Sequence, residues 1–187
     1  MDTRSPIWIA LASNIVVAST TFAFRGWNGA SAHAAARNTA RVSALWFVVA
    51  FAAPGLLQWV RRLPSGIRLL QSFFAAHAVH IFTVALLLWS FERAHVTDHP
   101  ARAAAIVLGG LGLVVVAVVT ATLRLSRFYT AIHAITVYAI FAIFFVAFGR
   151  NPVIPLRLIP LLLGVALILR IGSGWRLGSS YRVKTAE

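Results

Sequence analysis

The sequence predicts an all-α fold, a six-span transmembrane helical bundle. Hydrophobic residues make up 60% of the 187-residue chain and charged residues only 11%, whereas soluble domains carry about 25% charged residues. The apolar residues are gathered into six segments without the alternation that a membrane barrel requires. Helices are then the only elements that satisfy the backbone within lipid. A single integral membrane domain over residues 1–187 is the economical organisation.

The six apolar segments are long enough, or nearly so, to cross roughly 30 Å of hydrocarbon at about 1.5 Å per residue. The predicted spans are Ile7–Phe24, Val42–Val60, Leu69–Ser90, Ala103–Leu123, Phe128–Phe148 and Val153–Leu169. The connections between them are short and polar or basic, and the longest, "RGWNGASAHAAARNTAR", is predicted to join spans one and two outside the bilayer.

The basic residues indicate both an orientation and a partner. Ten of the 17 lie on the side of the predicted termini and seven on the other, which places both termini in the cytoplasm by the positive-inside rule. The net charge of +13 comes from short flanks of apolar runs. Anionic lipid headgroups, and not nucleic acid, are therefore the expected partner of these charges. The absence of cysteine excludes disulfides and thiolate sites.

Three histidines lie inside predicted spans. His77 and His80 belong to "FFAAHAVHIF" in span three, and His133 belongs to "RFYTAIHAITVYAIF" in span five. Ionisable groups inside a membrane are costly and mark functional sites by default. His77 and His80 are three residues apart and therefore share one helix face. They can face a single ligand region.

Two side chains from one helical face cannot bind opposite faces of one haem, so a bis-histidine haem needs a second helix, which His133 supplies. Counted from the flanking arginines, His77 and His133 lie within a turn of the same depth, and His80 stays an equal candidate. Two other roles remain open, a proton relay and hydrogen bonding between helices. The threonines available for such bonds are Thr83, Thr120, Thr122, Thr130 and Thr136.

The six-span plan with histidines on spans three and five resembles the ferric reductase-like transmembrane domain superfamily. That superfamily includes the haem-binding membrane subunit of the periplasmic methionine sulfoxide reductase system and the membrane halves of NADPH oxidases. "RRLPSGIRLLQSFFAAHAVHIF" looks like the family's third span with its basic entry. "RLSRFYTAIHAITVYAIFAIFF" looks like its fifth span, and "RNTARVSALWFVVAFAAPGLL" is similar to its second.

The resemblance implies a single b-type haem whose iron is bound by His133 and by His77 or His80, because Val146 stands where two-haem members carry a further histidine. Arg41 and Arg68 are candidate partners of the haem propionates. A haem with two histidine ligands favours electron transfer within or across the bilayer.

The resemblance also implies a bacterial inner membrane location and a role as an oxidoreductase subunit. The chain has no flavin or nicotinamide motif, so the electron donor would be separate, a flavoprotein or a quinol, and the acceptor is not indicated. The alternative function is a haem-free multispan protein, a small transporter or assembly partner, whose histidines are structural.

Overall fold

The chain folds into a bundle of apolar helices. A computed structural model describes residues 5–56, 60, 64–123, 127–150 and 158–184, and within them the chain forms seven helices. The helices are α1 (Ser5–Arg25), α2 (Gly29–Leu56), α3 (Gly66–Ser90), α4 (Arg93–Asp98), α5 (Pro100–Leu123), α6 (Arg127–Gly149) and α7 (Leu158–Lys184). The short helix α4 lies in the predicted connection between spans three and four.

Five of these helices are long and apolar enough to cross a bilayer, namely α1, α2, α3, α5 and α6. They confirm five of the predicted spans and an integral membrane protein. The apolar part of α7, Leu158–Ser173, is shorter, and about 20 apolar residues are needed for a full crossing. Residues 153–157 of the sixth predicted span lie outside the described residues.

The second helix differs most from its prediction. It begins at Gly29, 13 residues before the predicted start at Val42, and absorbs most of the segment expected to be a connection. Asn28 caps it, because its side-chain Oδ1 accepts a hydrogen bond from the backbone N–H of Ser31 at 2.9 Å. Alanine-rich sequence follows, and alanine has the highest helix propensity. Helix propensity, and not apolarity, therefore sets where α2 begins.

Helices α2 and α3 form the centre of the bundle. Helix α3 packs against α1, α2 and α5, whereas α2 also packs against α7, and α6 lies against α5 and α7. The closest approach is at Gly55, where an added Cβ would lie 2.5 Å from the carbonyl oxygen of Leu169. A residue without a side chain is therefore required at this crossing of α2 and α7.

Candidate functional site

A polar cluster lies in the middle of the apolar bundle, between α2 and α3. His77 Nδ1 lies 2.9 Å from the hydroxyl of Ser43, and His80 Nδ1 lies 3.2 Å from the hydroxyl of Thr39. The two imidazole rings have centroids 5.4 Å apart. Ser43 and Thr39 are fully buried, and His77 is 8% exposed. The predicted sharing of one helix face by the two histidines is confirmed.

The hydrogen bonds of Thr39 favour one of the two neutral forms of His80. The Thr39 hydroxyl donates its only proton to its own helix, at 2.8 Å from the carbonyl oxygen of Ala35. A hydroxyl that donates to its own helix is available to accept from His80, which favours Nδ1 of His80 as the donor. A neutral His80 ring then keeps its lone pair on Nε2. Metal-binding histidines commonly have their other ring nitrogen held in this way.

A cavity of ≈ 260 Å³ borders the two histidines. Its wall consists of His77, His80 and Ile81 of α3, Ala40 of α2, Ile106, Gly110, Leu113 and Val114 of α5, and Ile140, Ile143, Phe144, Ala147 and Phe148 of α6. Apart from the two imidazoles, these side chains are all apolar. We call this space the central cavity.

Gly110 makes room in the central cavity next to His77. A Cβ added at Gly110 would lie 3.8 Å from His77 Nε2 and 2.8 Å from Cδ1 of Ile81. His77 Nε2 therefore points towards the α5 wall, at the place where that wall has no side chain. The central cavity also reaches the surface that the bundle presents to lipid, because Ile106 and Ile143 at its rim are 43% and 54% exposed.

His133 lies in a different cavity. That second cavity, of ≈ 50 Å³, is lined by Phe47, Ala50, Phe51, Pro54, Gly66, Leu70, His133, Val137 and Arg170. His133 Nδ1 donates to the backbone carbonyl of Ala117 on α5 at 3.0 Å, and the hydroxyl of Thr120 lies 3.4 Å away. Thr120 is one of the threonines expected to bond a histidine between helices. A carbonyl can only accept, so Nδ1 carries the proton here as well.

The structure does not bring His133 to the depth of the other two histidines. On α3, Gly66 lines the cavity of His133 and precedes His77 by 11 residues, which corresponds to about 16 Å along a helix. On α6, Phe144 is the residue whose ring lies beside His77, at 6.0 Å between centroids, and it follows His133 by the same 11 residues. The expected match within one turn is therefore not found.

The physical reason is the register of α3 against α6. The expected match in depth assumed that the arginines before the two spans lie at the same distance from the membrane centre. The packing of side chains sets the relative depth of the two helices instead. It places His133, the sixth residue after Arg127, and Gly66, the first residue of α3, in the wall of the same cavity. Helix α6 thus extends about 9 Å further than α3 towards the end of the bundle where both helices begin.

Three buried phenylalanines pack against one another next to the two cavities. Phe47 lies 5.1 Å from Phe73 and 5.4 Å from Phe144, measured between ring centroids. Phe47 lines the second cavity and Phe144 lines the central one. These rings therefore connect the lining of the second cavity with that of the central one.

Two arginines were predicted to pair with haem propionates. Arg41 is half-buried on α2 and donates from Nη1 to Oδ1 of Asn38 at 2.9 Å within its own helix. Arg68 is half-buried in the first turn of α3. Neither side chain lines the central or the second cavity, and their role towards a haem stays a prediction.

Arg170, which the sequence did not single out, does line the second cavity. Its Nη1 donates to the carbonyl of Phe51 at 2.9 Å, and its guanidinium lies 4.7 Å from the centroid of the Phe51 ring. A cation beside the last turns of α2 interacts favourably with the negative end of that helix. This contact explains how an arginine is held inside the bundle.

Asn14 of α1 completes the polar residues at the level of the histidines. Its Nδ2 donates to the carbonyl of Ala76 at 2.6 Å, whereas its buried Oδ1 has no partner among the described residues. Asn14, Thr39 and Ser43 were all missed by sequence reasoning. Thr39 was missed because span two was started too late, whereas the i, i+4 spacing of Thr39 and Ser43 is a detectable signal for two contacts with one neighbouring helix.

The arrangement can bind a ligand through imidazole nitrogen on one side of an apolar cavity. The described residues contain no group of three or more histidine, cysteine, aspartate or glutamate side chains suited to a metal ion. A haem needs only one or two protein ligands and an apolar enclosure. The structure places His77 and His80 at the central cavity and His133 at the second one, and the haem ligands stay a prediction.

Comparison with known proteins provides no further constraint, since no family model, curated protein or solved structure matches the chain.

Proposed function

We propose that this multispan helical membrane protein binds one b-type haem in its central cavity and carries electrons within or across the bilayer as the membrane part of a redox system. The observation that carries the proposal is the pair of imidazoles, His77 and His80, at the wall of an otherwise apolar cavity. Each has Nδ1 engaged by a buried hydroxyl of α2. This arrangement holds the rings in place and leaves Nε2 for a ligand.

The two cavities that contain membrane histidines differ in size. The central cavity, at ≈ 260 Å³, is just below the range of about 300–1,000 Å³ that small-molecule sites occupy. Its rim at Ile106 and Ile143 is open towards lipid, where a porphyrin edge can extend. The second cavity of ≈ 50 Å³ has room for about one or two water molecules.

The haem supplies the redox chemistry, and the residues of this chain hold and insulate it. His77 or His80 binds the iron from α3, whereas the apolar side chains of α5 and α6 exclude water. Since the sequence carries no flavin or nicotinamide motif, the electrons come from a separate flavoprotein or quinol. The ferric reductase-like resemblance is the second support for this proposal.

The test is the visible spectrum of the full-length protein, purified in detergent after expression with ample haem supply. We expect a Soret band, a sharp α-band on reduction, and near one haem per chain. The double variant H77A/H80A should lose the haem, whereas Thr20→Ala, which changes an exposed threonine of α1 whose hydroxyl bonds its own helix, should retain it. A colourless wild-type protein would refute the proposal.

A second candidate function is a haem-free membrane protein with structural histidines. The specific observation in its favour is that all three membrane histidines bond to a neighbouring helix, His77 and His80 to α2 and His133 to α5. On this hypothesis the protein is colourless, and replacing each histidine by leucine lowers its thermal stability without any spectral change.

A further inference from the structure

We infer that the second cavity binds the phosphate group of an anionic molecule, with the guanidinium of Arg170 as the charged contact and His133 beside it. The phosphate can belong to an anionic lipid headgroup or to free phosphate, because both present the same charged oxygens. The site needs no haem and uses neither His77 nor His80. It therefore goes beyond the proposed function and is tested separately from it.

The first step is the positive charge in the wall of the second cavity. Arg170 and His133 are the two polar side chains among the described residues that line it, and none of those residues is acidic. A guanidinium keeps its charge at any physiological pH. A charged group inside a membrane bundle marks a functional site by default. The lining therefore favours an anion over a cation or an apolar molecule.

The second step is the way in which the guanidinium is held. Its Nη1 donates to the carbonyl oxygen of Phe51 at 2.9 Å. Its central carbon lies 4.7 Å from the centroid of the Phe51 ring and 5.7 Å from that of the Tyr138 ring. These contacts fix its position, and they leave its charge in place because a carbonyl and an aromatic ring are uncharged. The planar fork of a guanidinium matches two oxygens of a phosphate in charge and in shape.

The third step is the size and the opening of the second cavity. Its volume of ≈ 50 Å³ corresponds to about one or two water molecules. It can therefore admit one or two phosphate oxygens, whereas a whole lipid headgroup is too large. Pro54 in its wall is exposed, and Tyr138 beside the guanidinium is 42% exposed. The remainder of the ligand can extend past these residues to the outside of the bundle.

The fourth step is the level of the second cavity along the bundle. Gly66 is the first residue of α3, and Pro54 lies two residues before the last residue of α2. Arg170 lies three residues before Ser173, where the apolar part of α7 ends, which is about 4.5 Å along a helix. Lipid phosphates lie at this boundary of the hydrocarbon core. The connection "RRLPSGIR" before α3 is basic, and such flanks attract anionic lipids.

The experiment follows thermal unfolding of the full-length protein in phosphate-free buffer and neutral detergent, while a ligand is titrated. The ligands are phosphatidylglycerol, phosphatidylcholine and inorganic phosphate. We expect phosphatidylglycerol to raise the melting temperature, since a ligand of the folded state stabilises it. Phosphatidylcholine should raise it far less, because its choline group carries a compensating positive charge.

The variant Arg170→Gln should weaken the apparent affinity for phosphatidylglycerol by at least about tenfold, as expected for the loss of a hydrogen bond between charged groups. Arg25→Gln is the matched control, because it removes the same charge from an exposed position at the end of α1. It should bind within about twofold of wild type, which corresponds to about 0.4 kcal/mol. The rise caused by the ligand is compared, because a merely structural arginine would change the melting temperature without ligand and leave that rise unaltered.

The inorganic phosphate titration distinguishes the two sources. A rise that depends on Arg170 supports the site in either case, with free phosphate as the source if inorganic phosphate alone produces it and a lipid headgroup if only phosphatidylglycerol does. An equal response of wild type, R170Q and R25Q to phosphatidylglycerol would overturn the site, because the net charge of +13 would then attract the lipid without a specific contact. No response of wild type to either ligand would also overturn it.

A second variant covers the case in which R170Q does not fold. Ala50 lines the second cavity and is 8% exposed, so Ala50→Val fills part of the space while Arg170 is kept. Loss of the ligand-dependent rise in A50V supports the site, and an unchanged rise overturns it. A colourless protein that keeps an Arg170-dependent rise would refute the proposed function alone, since the haem spectrum is a separate measurement.

Discussion

Replacing Thr39 by valine tests the hydrogen bond that orients His80. Valine keeps the shape of the side chain and removes the hydroxyl that accepts from Nδ1 at 3.2 Å. Hydrogen bonds between membrane helices contribute about 0.6 kcal/mol on average and up to about 1.7 kcal/mol. We therefore expect T39V to lower the free energy of unfolding by about 0.6–1.7 kcal/mol.

The matched control is Thr83→Val on α3. Thr83 is buried, at 3% exposed, and donates to its own helix at 2.8 Å from the carbonyl oxygen of Val79, as Thr39 does towards Ala35. Among the described residues its hydroxyl bonds no other helix, so it contributes little to helix association. T83V should therefore unfold closer to wild type than T39V does, because it removes only a bond within its own helix, whereas T39V also removes the contact with His80.

The measurement is thermal or denaturant unfolding of the purified protein in detergent, followed by tryptophan fluorescence. One kcal/mol corresponds to about 2–4 °C for a chain of this size, so the expected shift for T39V is about 1–7 °C. Thr39→Ser should recover most of it. If T39V and T83V unfold at the same midpoint, or if T39V still destabilises when His80 is leucine, the assignment of this bond is refuted.

Three further predictions concern glycines and an ion pair. Gly55→Ala should destabilise the protein by about 1–3 kcal/mol, because the added Cβ would lie 2.5 Å from a carbonyl oxygen of α7. The control variant Gly164→Ala, whose Cβ would meet nothing within 4 Å, should not destabilise it. Equal melting temperatures of the two variants would contradict the close crossing of α2 and α7. Gly110→Ala should reduce the haem content per protein chain, whereas Gly109→Ala, which has open space around its added Cβ, should not. The haem content of both variants is measured at matched protein concentration by the pyridine haemochromogen assay. Glu92→Gln should lower the free energy of unfolding, measured by denaturant titration, by less than about 1 kcal/mol, because the 2.8 Å ion pair of Glu92 with His33 of α2 is partly exposed. A larger decrease would contradict this expectation and show that the pair holds the helix ends together.

The bounds of the long spans could be predicted from the sequence, because the free energy of transferring a side chain into lipid depends mainly on that side chain and little on its neighbours. Apolar segments such as Leu69–Ser90 and Ala103–Leu123 are therefore recognised as spans from their length and apolarity, whichever helices they pack against. The start of α2 at Gly29 was not readable in this way. The stretch from Gly29 to Arg41 is alanine-rich but contains two arginines and a histidine, so it is only weakly apolar. Its helicity depends on capping by Asn28 and on packing against α3.

The sharing of one face by His77 and His80 was also determined by the sequence, since three residues nearly complete a helical turn. Their partners and their distance from His133 were decided only by the tertiary structure. Which residues of two helices meet depends on how far one helix slides along the other, and that is set by the interlocking of side chains such as Phe47, Phe73 and Phe144. No single segment contains that information, because the packing energy belongs to the pair of surfaces and not to either helix alone.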